Sequence, residues 1–306
     1  MFSRRAFIVT SGSAFMGLKP EKRMRIALVG TGVRGTDMWG RELKRDYSDV
    51  VEFVGLCDIN PGRLSYGKNY IGANCPTFTN FDEMLLKTKP DRVVVTTMDS
   101  THDQQIVAAM KFGADVITEK PLTTDESKLQ SILDTQKQTG RDLVVAHNYR
   151  YAPYRARIKQ LLMENRIGKL TSVDLNYYLD VHHGADYFRR WHGKERYSGG
   201  LFIHKSCHHF DLLNWWIGSE PETVYAQGAL EHYGHNNSFR SSKCRGCSHQ
   251  KDCQYYWDIT GGKGFLDSQN RLVNLYVENE EYDGYIRDGC VWSKEIDIFD
   301  KMTASI

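Results

Sequence analysis

A lysine followed by proline, two histidines four residues apart and a glycine-rich turn are the groups in this sequence whose types and spacing could do chemistry. Withdrawing a hydride from a carbinol carbon requires the hydroxyl proton to leave as well, so a base and a cation must meet at one oxygen. His208 can take that proton near the ordinary imidazole pKa of about 6.5. Lys120 can stabilise the alkoxide, or serve as the base itself where burial lowers its pKa. On a continuous helix His204 and His208 share a face, and Asp211, three residues further, can orient His208. The same three residues also have the spacing of a two-histidine, one-carboxylate metal face.

Gly30-Thr31-Gly32-Val33-Arg34-Gly35 reads G-x-G-x-x-G, and it follows the apolar run from Ile26 to Val29. A helix opening at its third glycine would place backbone N–H groups on a pyrophosphate. The first two glycines allow a tight turn and close approach, and Gly35 lets helix and strand pack. Asp58 ends the next strand, where a carboxylate accepts from both ribose hydroxyls and repels a 2′-phosphate. That favours NAD over NADP, with Arg63 the one nearby group able to shelter a phosphate. Glu119-Lys120-Pro121 follows another strand, at the carboxyl edge where open α/β sheets bind ligands, and its proline is compatible with a cis peptide. The expected cofactor-binding residues are therefore Gly30, Thr31, Gly32, Val33, Arg34, Gly35, Asp58, Glu119 and Lys120.

The elements that must position these groups alternate from Arg25 to about Ala146. Strands are expected at Ile26 to Val29, Val51 to Cys57, Arg92 to Thr97, Asp115 to Thr118 and Leu143 to Ala146. Helices are expected at Val33 to Arg45, Gly62 to Tyr70, Phe81 to Lys87, His102 to Phe112 and Thr124 to Gln138, with Asn80 and Thr124 as caps. This is the α/β pattern of a Rossmann doubly wound parallel sheet. After Tyr151 the alternation stops. A helix from Tyr154 to Asn165, an alternating strand from Leu170 to Leu179, a long helix from Leu201 to Ile217 and strands at Thr223 to Leu230 and Glu295 to Ile306 predict an α+β domain. Its sheet should be open and mostly antiparallel, fit for contacts between subunits of a homo-oligomer. The expected division is a leader over 1–22, a dinucleotide-binding domain over 23–150 and a second domain over 151–306, with a polar insertion at about 231–290.

Composition narrows the classes. The chain has 306 residues, 41% hydrophobic and 25% charged, with 40 Lys+Arg against 38 Asp+Glu. A net charge of +2 offers no field to draw it onto nucleic acid. No 18-residue uncharged apolar stretch occurs, so no spanning helix is expected. Ser3-Arg4-Arg5-Ala6-Phe7-Ile8 ahead of a weakly apolar stretch has the layout of a twin-arginine export signal, which predicts a periplasmic location; without export the protein would be cytoplasmic. Cys244-x-x-Cys247-x5-Cys253, with Cys290, could hold structural zinc, with His249 as a substitute ligand, or form two disulfides.

Taken together, Gly30 to Gly35, Glu119-Lys120-Pro121, Asn148-Tyr149-Arg150-Tyr151-x-Pro153, Gly199-Gly200 and His208-x-x-Asp211-x-x-x-Trp215 resemble the Gfo/Idh/MocA oxidoreductases. The resemblance implies that Lys120 and His208 flank the nicotinamide and the reacting carbinol. It also implies that Asn148 and Arg150, with Tyr151, His204, Lys205 and His208, line a pocket for a carbohydrate-like substrate. Members commonly carry aspartate where this chain has His204, which leaves the proton acceptor open. The implied activity is NAD-dependent oxidation of a secondary hydroxyl on a sugar, cyclitol or glycoside. Alternatives are glycoside cleavage through transient oxidation, or a nucleotide-bound sensor without catalysis. The resemblance also implies further strands and a closing helix after the strand expected at Glu295 to Ile306.

Overall fold

The computed structural model describes residues 22–261 and 269–306. Six parallel strands form one sheet in the order β3-β2-β1-β4-β5-β6. They are β1 (Met24–Val29), β2 (Val51–Cys57), β3 (Thr77–Phe78), β4 (Arg92–Val95), β5 (Asp115–Thr118) and β6 (Leu143–Val145). The crossovers are α1 (Gly35–Glu42 in π-helical geometry, continuing as Leu43–Tyr47), α2 (Pro61–Ile71), α3 (Phe81–Thr88), α4 (His102–Phe112) and α5 (Glu126–Thr139). The doubly wound expectation holds, and only the two-residue β3 was too short to be read.

Strand composition explains the layering. Ala27 and Val29 of β1 enter one core with Val93 and Val95 of β4, whereas Ile26 and Leu28 enter the opposite core with Val94. Strands covered on both faces must be apolar at every position, and each fully buried aliphatic side chain contributes roughly 1.5–3 kcal/mol. Helix starts are fixed by side-chain caps: Asn60 accepts from the Arg63 amide and Asn80 from the Glu83 amide, both at 2.9 Å. For α5 the cap is Asp125, which accepts from the Lys128 amide at 3.0 Å, and not Thr124.

β1 pairs with β2 on one side and β4 on the other. The strand order reverses there, so the carboxyl ends of β1, β4 and β5 open a crevice that gathers the glycine turn, residues 96–99 and Glu119-Lys120.

The remainder comprises α6 (Pro153–Met163), α7 (Val181–Arg189), α8 (Glu195–Ser198), α9 (Gly200–His204), α10 (Cys207–Ile217), β7 (Tyr225–Ala229), α11 (Gln269–Leu275) and β8 (Lys301–Ser305). β7 and β8 form a two-stranded antiparallel sheet running from Tyr225↔Ser305 to Ala229↔Lys301. Residues 170–179 are not a strand: alternation is present, but no described strand pairs with it. α7 falls between the expected elements, in a stretch for which no helix was expected; Asp180 accepts from the amides of His182 and His183 at 3.0 Å each and starts it. The helix expected from Leu201 to Ile217 is broken. Both Lys205 and Ser206 amides turn back onto the Leu201 carbonyl, at 3.0 and 2.8 Å, so His204 ends α9 and His208 lies in α10. The last strand begins at Lys301 and not Glu295, since Asp297 and Asp300 accept backbone amides of Glu195 and of residues 231–233. A third core of Tyr187, Phe188, Leu201, Tyr255, Val291, Trp292, Ile296 and Ile298 ties the polar insertion to α7 and α9. No helix among the described residues is long and apolar enough to cross a membrane.

Candidate functional site

The glycine turn is built so that only glycine fits at two positions. Gly30 has φ +92°, and a Cβ there would lie 2.6 Å from the Thr96 carbonyl oxygen. A Cβ on Gly35 would lie 2.0 Å from the Gly30 carbonyl oxygen, so the turn and α1 touch backbone to backbone. Asp58 locks the turn from beneath. One carboxylate oxygen accepts from the Thr31 amide at 2.7 Å and its hydroxyl at 3.0 Å, and the other from the Asn60 amide at 2.9 Å. Arg63 is spent between two carboxylates, Asp58 at 3.3 Å and Asp283 at 2.5 Å. Glu119 braces α1, accepting from Arg34 Nε at 2.7 Å and Trp39 Nε1 at 2.8 Å on the same oxygen.

A segment the sequence reading did not connect to this turn lies across it. The Val33 amide donates to the Tyr276 hydroxyl at 3.0 Å. Further along, Asn60 Nδ2 donates to the Asn279 carbonyl at 2.9 Å and Asp283 meets Arg63, while Arg271 pairs with Asp37 of α1. Residues 271–283 therefore form a strap from α1 to the end of β2. Arg287, beyond it, is buried against Asp186 of α7 at 2.7 Å.

At the carboxyl edge of β5, Lys120 precedes a cis proline. Its Nζ donates to the His204 carbonyl at 2.8 Å and lies 3.2 Å from His204 Nε2. His204 Nδ1 is 2.5 Å from Asp99 Oδ2. Asp99, in the loop after β4, was not singled out in the sequence; its signal was a carboxylate just past the strand adjoining the glycine turn. Asp99 and His204 are 3% and 6% exposed. Burial pushes the Asp99 carboxyl well above its ordinary range, drives the His204 imidazole well below its own, and lowers Lys120, whose attraction to Asp99 works the other way.

His208 sits beyond this trio. Its ring lies flat on Tyr149, centroids 3.8 Å apart and planes 4° apart, and its Nδ1 has no partner. Burial first, then the charge of Lys120, push it down to about 2, so it is neutral. Asp211 does not orient it: Arg150 clamps Asp211 through Nε at 2.6 Å and a second nitrogen at 2.5 Å. Lys205 donates to the Tyr149 hydroxyl at 2.8 Å, and Arg155 covers that ring at 3.8 Å from its centroid. Tyr149 is thus the hub that sequence reasoning passed over within Asn148-Tyr149-Arg150. Asn148 opens the same 3₁₀ turn, and Tyr151, at its end, is 63% exposed. His192, stacked on Trp191, closes over His204 at 4.3 Å between ring centroids.

Metal is not supported at either expected place. Among the described residues no three His, Cys, Asp or Glu side chains are grouped to hold an ion. His204 and Asp211 are engaged by Asp99, Lys120 and Arg150, and the helix break separates them. Cys244, Cys247, Cys253 and Cys290 line one small cavity with Arg189 and Trp292, as free thiols. Cys244 accepts from Arg189 at 3.0 Å. The aromatic core described above does the holding that zinc or disulfides were expected to do. Cys57 and Cys75 are buried and Cys207 is half-buried, and burial raises their pKa values to about 12, 11 and 11, as unreactive thiols.

Residues 24–147 match the family profile described as an oxidoreductase family with an NAD-binding Rossmann fold, and residues 159–282 match its C-terminal alpha/beta domain. YteT of Bacillus subtilis (strain 168) is 36% identical over 293 residues, covering 92% of this chain and 68% of YteT. An inositol 2-dehydrogenase/D-chiro-inositol 3-dehydrogenase of Lactiplantibacillus plantarum is 25% identical, over 65% of this chain and 54% of that protein. Among solved structures, the WlbA dehydrogenase of Bordetella pertussis, in complex with NADH and UDP-GlcNAcA, superposes with a TM-score of 0.61. It is 27% identical, with 68% of this chain and 61% of that chain covered. The chain thus spans between about half and two thirds of such relatives, and with both profiles matched across the sheet and the second domain it belongs to the Gfo/Idh/MocA oxidoreductase family.

Proposed function

We propose that this protein transfers a hydride between NAD and a secondary hydroxyl of a sugar, cyclitol or glycoside. The observation that carries the reading is the meeting of Lys120 from the Rossmann sheet with His204 from the second domain, at the crevice that the glycine turn also faces. The turn fits a dinucleotide: a Cβ at Gly30 or Gly35 would fill the approach, and α1 presents its N-terminus there. With Asp58 at the end of β2 and Arg63 already paired, the arrangement favours NAD over NADP. When bound, the nicotinamide supplies the acceptor for the hydride. Lys120 holds the substrate oxygen and takes its proton. Neutral His208, with an unpartnered Nδ1, offers a hydrogen bond in the same space. Tyr149, Lys205 and Arg150 belong to the substrate side, beside Asn148 and Tyr151. Proton handling of this kind contributes about 10²- to 10⁴-fold in rate.

The test is NADH formation by the purified protein with a panel of cyclitols, aldoses and glycosides. No NADH and no NAD binding would overturn the reading. The strap favours a second reading. A nucleotide held under the strap, whose Asn279 and Asp283 are tied to Asn60 and Arg63, would leave only when that tie breaks, which suits a cofactor reused within each turnover for glycoside cleavage. Release of aglycone without NADH accumulation would decide for it. The same proposal keeps the Arg4-Arg5 leader as an export signal, on a segment outside the described residues. It also keeps the β7–β8 sheet, with Tyr225 exposed, as a surface for a second copy.

A further inference from the structure

We propose that Asp99 and His204 form an internal proton store for Lys120, so that this lysine becomes a neutral base without giving a proton to solvent. The inference rests on the hydride-transfer reading for its purpose, but not for its geometry.

Three groups from three elements stand in line. Asp99 Oδ2 is 2.5 Å from His204 Nδ1, and His204 Nε2 is 3.2 Å from Lys120 Nζ. An imidazole between a carboxylate and an ammonium has one tautomer that satisfies both: Nδ1–H donates to Asp99, and the Nε2 lone pair accepts from Lys120. A carboxylate and an ammonium both taken out of water are costly, and neutralising them internally removes much of that cost. The shift breaks one Nζ–H bond and forms Nε2–H, while Nδ1–H breaks and a carboxyl O–H forms on Asp99. No electrons change hands, and the trio keeps its total of protons. Lys120, now an amine, takes the substrate hydroxyl proton as the hydride departs and returns to an ammonium, and the trio, now one proton richer, gives that proton to solvent after the carbonyl product leaves; reduction runs the sequence backwards.

The surroundings favour the neutral arrangement. Facing the trio are Glu119, braced by Arg34; Arg190, paired with Asp186; and Lys205, Cys207, His192 and His208. Burial acts on all three members in the direction that discourages charge. Because the proton is held within the trio, the fraction of neutral Lys120 is insensitive to pH across the neutral range.

The discriminating variant is Asp99→Asn, whose side-chain oxygen still accepts from Nδ1–H but cannot take a proton. Two readouts apply. NAD⁺ binding is followed by calorimetry in buffers of different ionisation enthalpy: the parent should release almost no proton, and Asp99→Asn up to one. With a turned-over substrate, the parent kcat should be flat through neutral pH, whereas Asp99→Asn should rise about tenfold per pH unit until Lys120 loses its proton. A parent that releases a full proton, or an Asp99→Asn profile as flat as the parent's, overturns the proposal. Were neither NAD binding nor turnover found, the hydride reading would fail, and nitrogen NMR of His204 in the free protein would decide this inference by itself. A proton on Nε2 with a bare Nδ1 in the parent, returning to Nδ1 in Asp99→Asn, supports the store; a parent that keeps its proton on Nδ1 with a bare Nε2 overturns it.

Discussion

Arg150 grips Asp211 with two nitrogens, at 2.6 and 2.5 Å, and its guanidinium stands over the Trp215 ring at 5.6 Å. This fork fastens the 3₁₀ turn that carries Tyr149 to α10, the helix that carries His208. Arg150→Ala leaves a mostly buried carboxylate without its partner and should cost about 1–3 kcal/mol. Arg150→Lys should recover only part of that, because an ammonium cannot reproduce the planar fork. Thermal melts of the three proteins check the order parent, lysine, alanine.

Lys120→Met should lower kcat by about 10²- to 10⁴-fold while NAD affinity changes little, since the glycine turn and Asp58 are untouched. Steady-state rates alongside a nucleotide titration separate the two effects. Loss of NAD binding equal to the loss of rate would reassign Lys120 to cofactor binding.

Tyr276 holds the Val33 amide that a pyrophosphate oxygen would need. Tyr276→Phe removes this competitor and should tighten NAD binding by about 3- to 10-fold, the worth of one such hydrogen bond. Fluorescence titration of both proteins measures it, and weaker binding by the variant would mean that the hydroxyl supports the nucleotide.

Acid should unfold the protein early. His208 is held down to about 2 and His209 to about 4, and His192 and His204 lie well below their ordinary value, all because burial disfavours the imidazolium. Unfolded histidines titrate near 6.5, so below that pH the unfolded chain binds more protons than the native one and stability falls as pH falls. Asp99, raised by burial, opposes this with one proton in the same window. Unfolding at pH 5.5 should therefore take up protons on balance, with a clear drop in Tm from pH 7.5. A Tm that is level between these values would contradict the burial of these rings.

Much of the first half was legible in the sequence. The central strands β1, β4 and β5 run through consecutive buried apolar residues, and Gly30, Asp58 and Glu119-Lys120 follow directly on β1, β2 and β5, so these residues could be placed from spacing. The second half obeys longer-range causes. The break at Lys205-Ser206 comes from a shared carbonyl on Leu201, which no residue type announces. Residues 170–179 alternate like a strand, yet pairing depends on a neighbour elsewhere in the chain. Asp99 and Tyr276 gained their places only through contacts more than a hundred residues away in sequence, with His204 and Val33.

The strap and the residues that follow it are anchored on each side of the crevice: Tyr276, Asn279 and Asp283 grip the Rossmann half, and Arg287, just beyond the strap, is sunk against α7. Any hinge motion that parts the two halves to admit a bulky sugar must also tug on that tether. On the proposed function, loading of carbohydrate and exchange of nucleotide would thereby be mechanically linked, and a large glycoside should hasten the loss of bound dinucleotide.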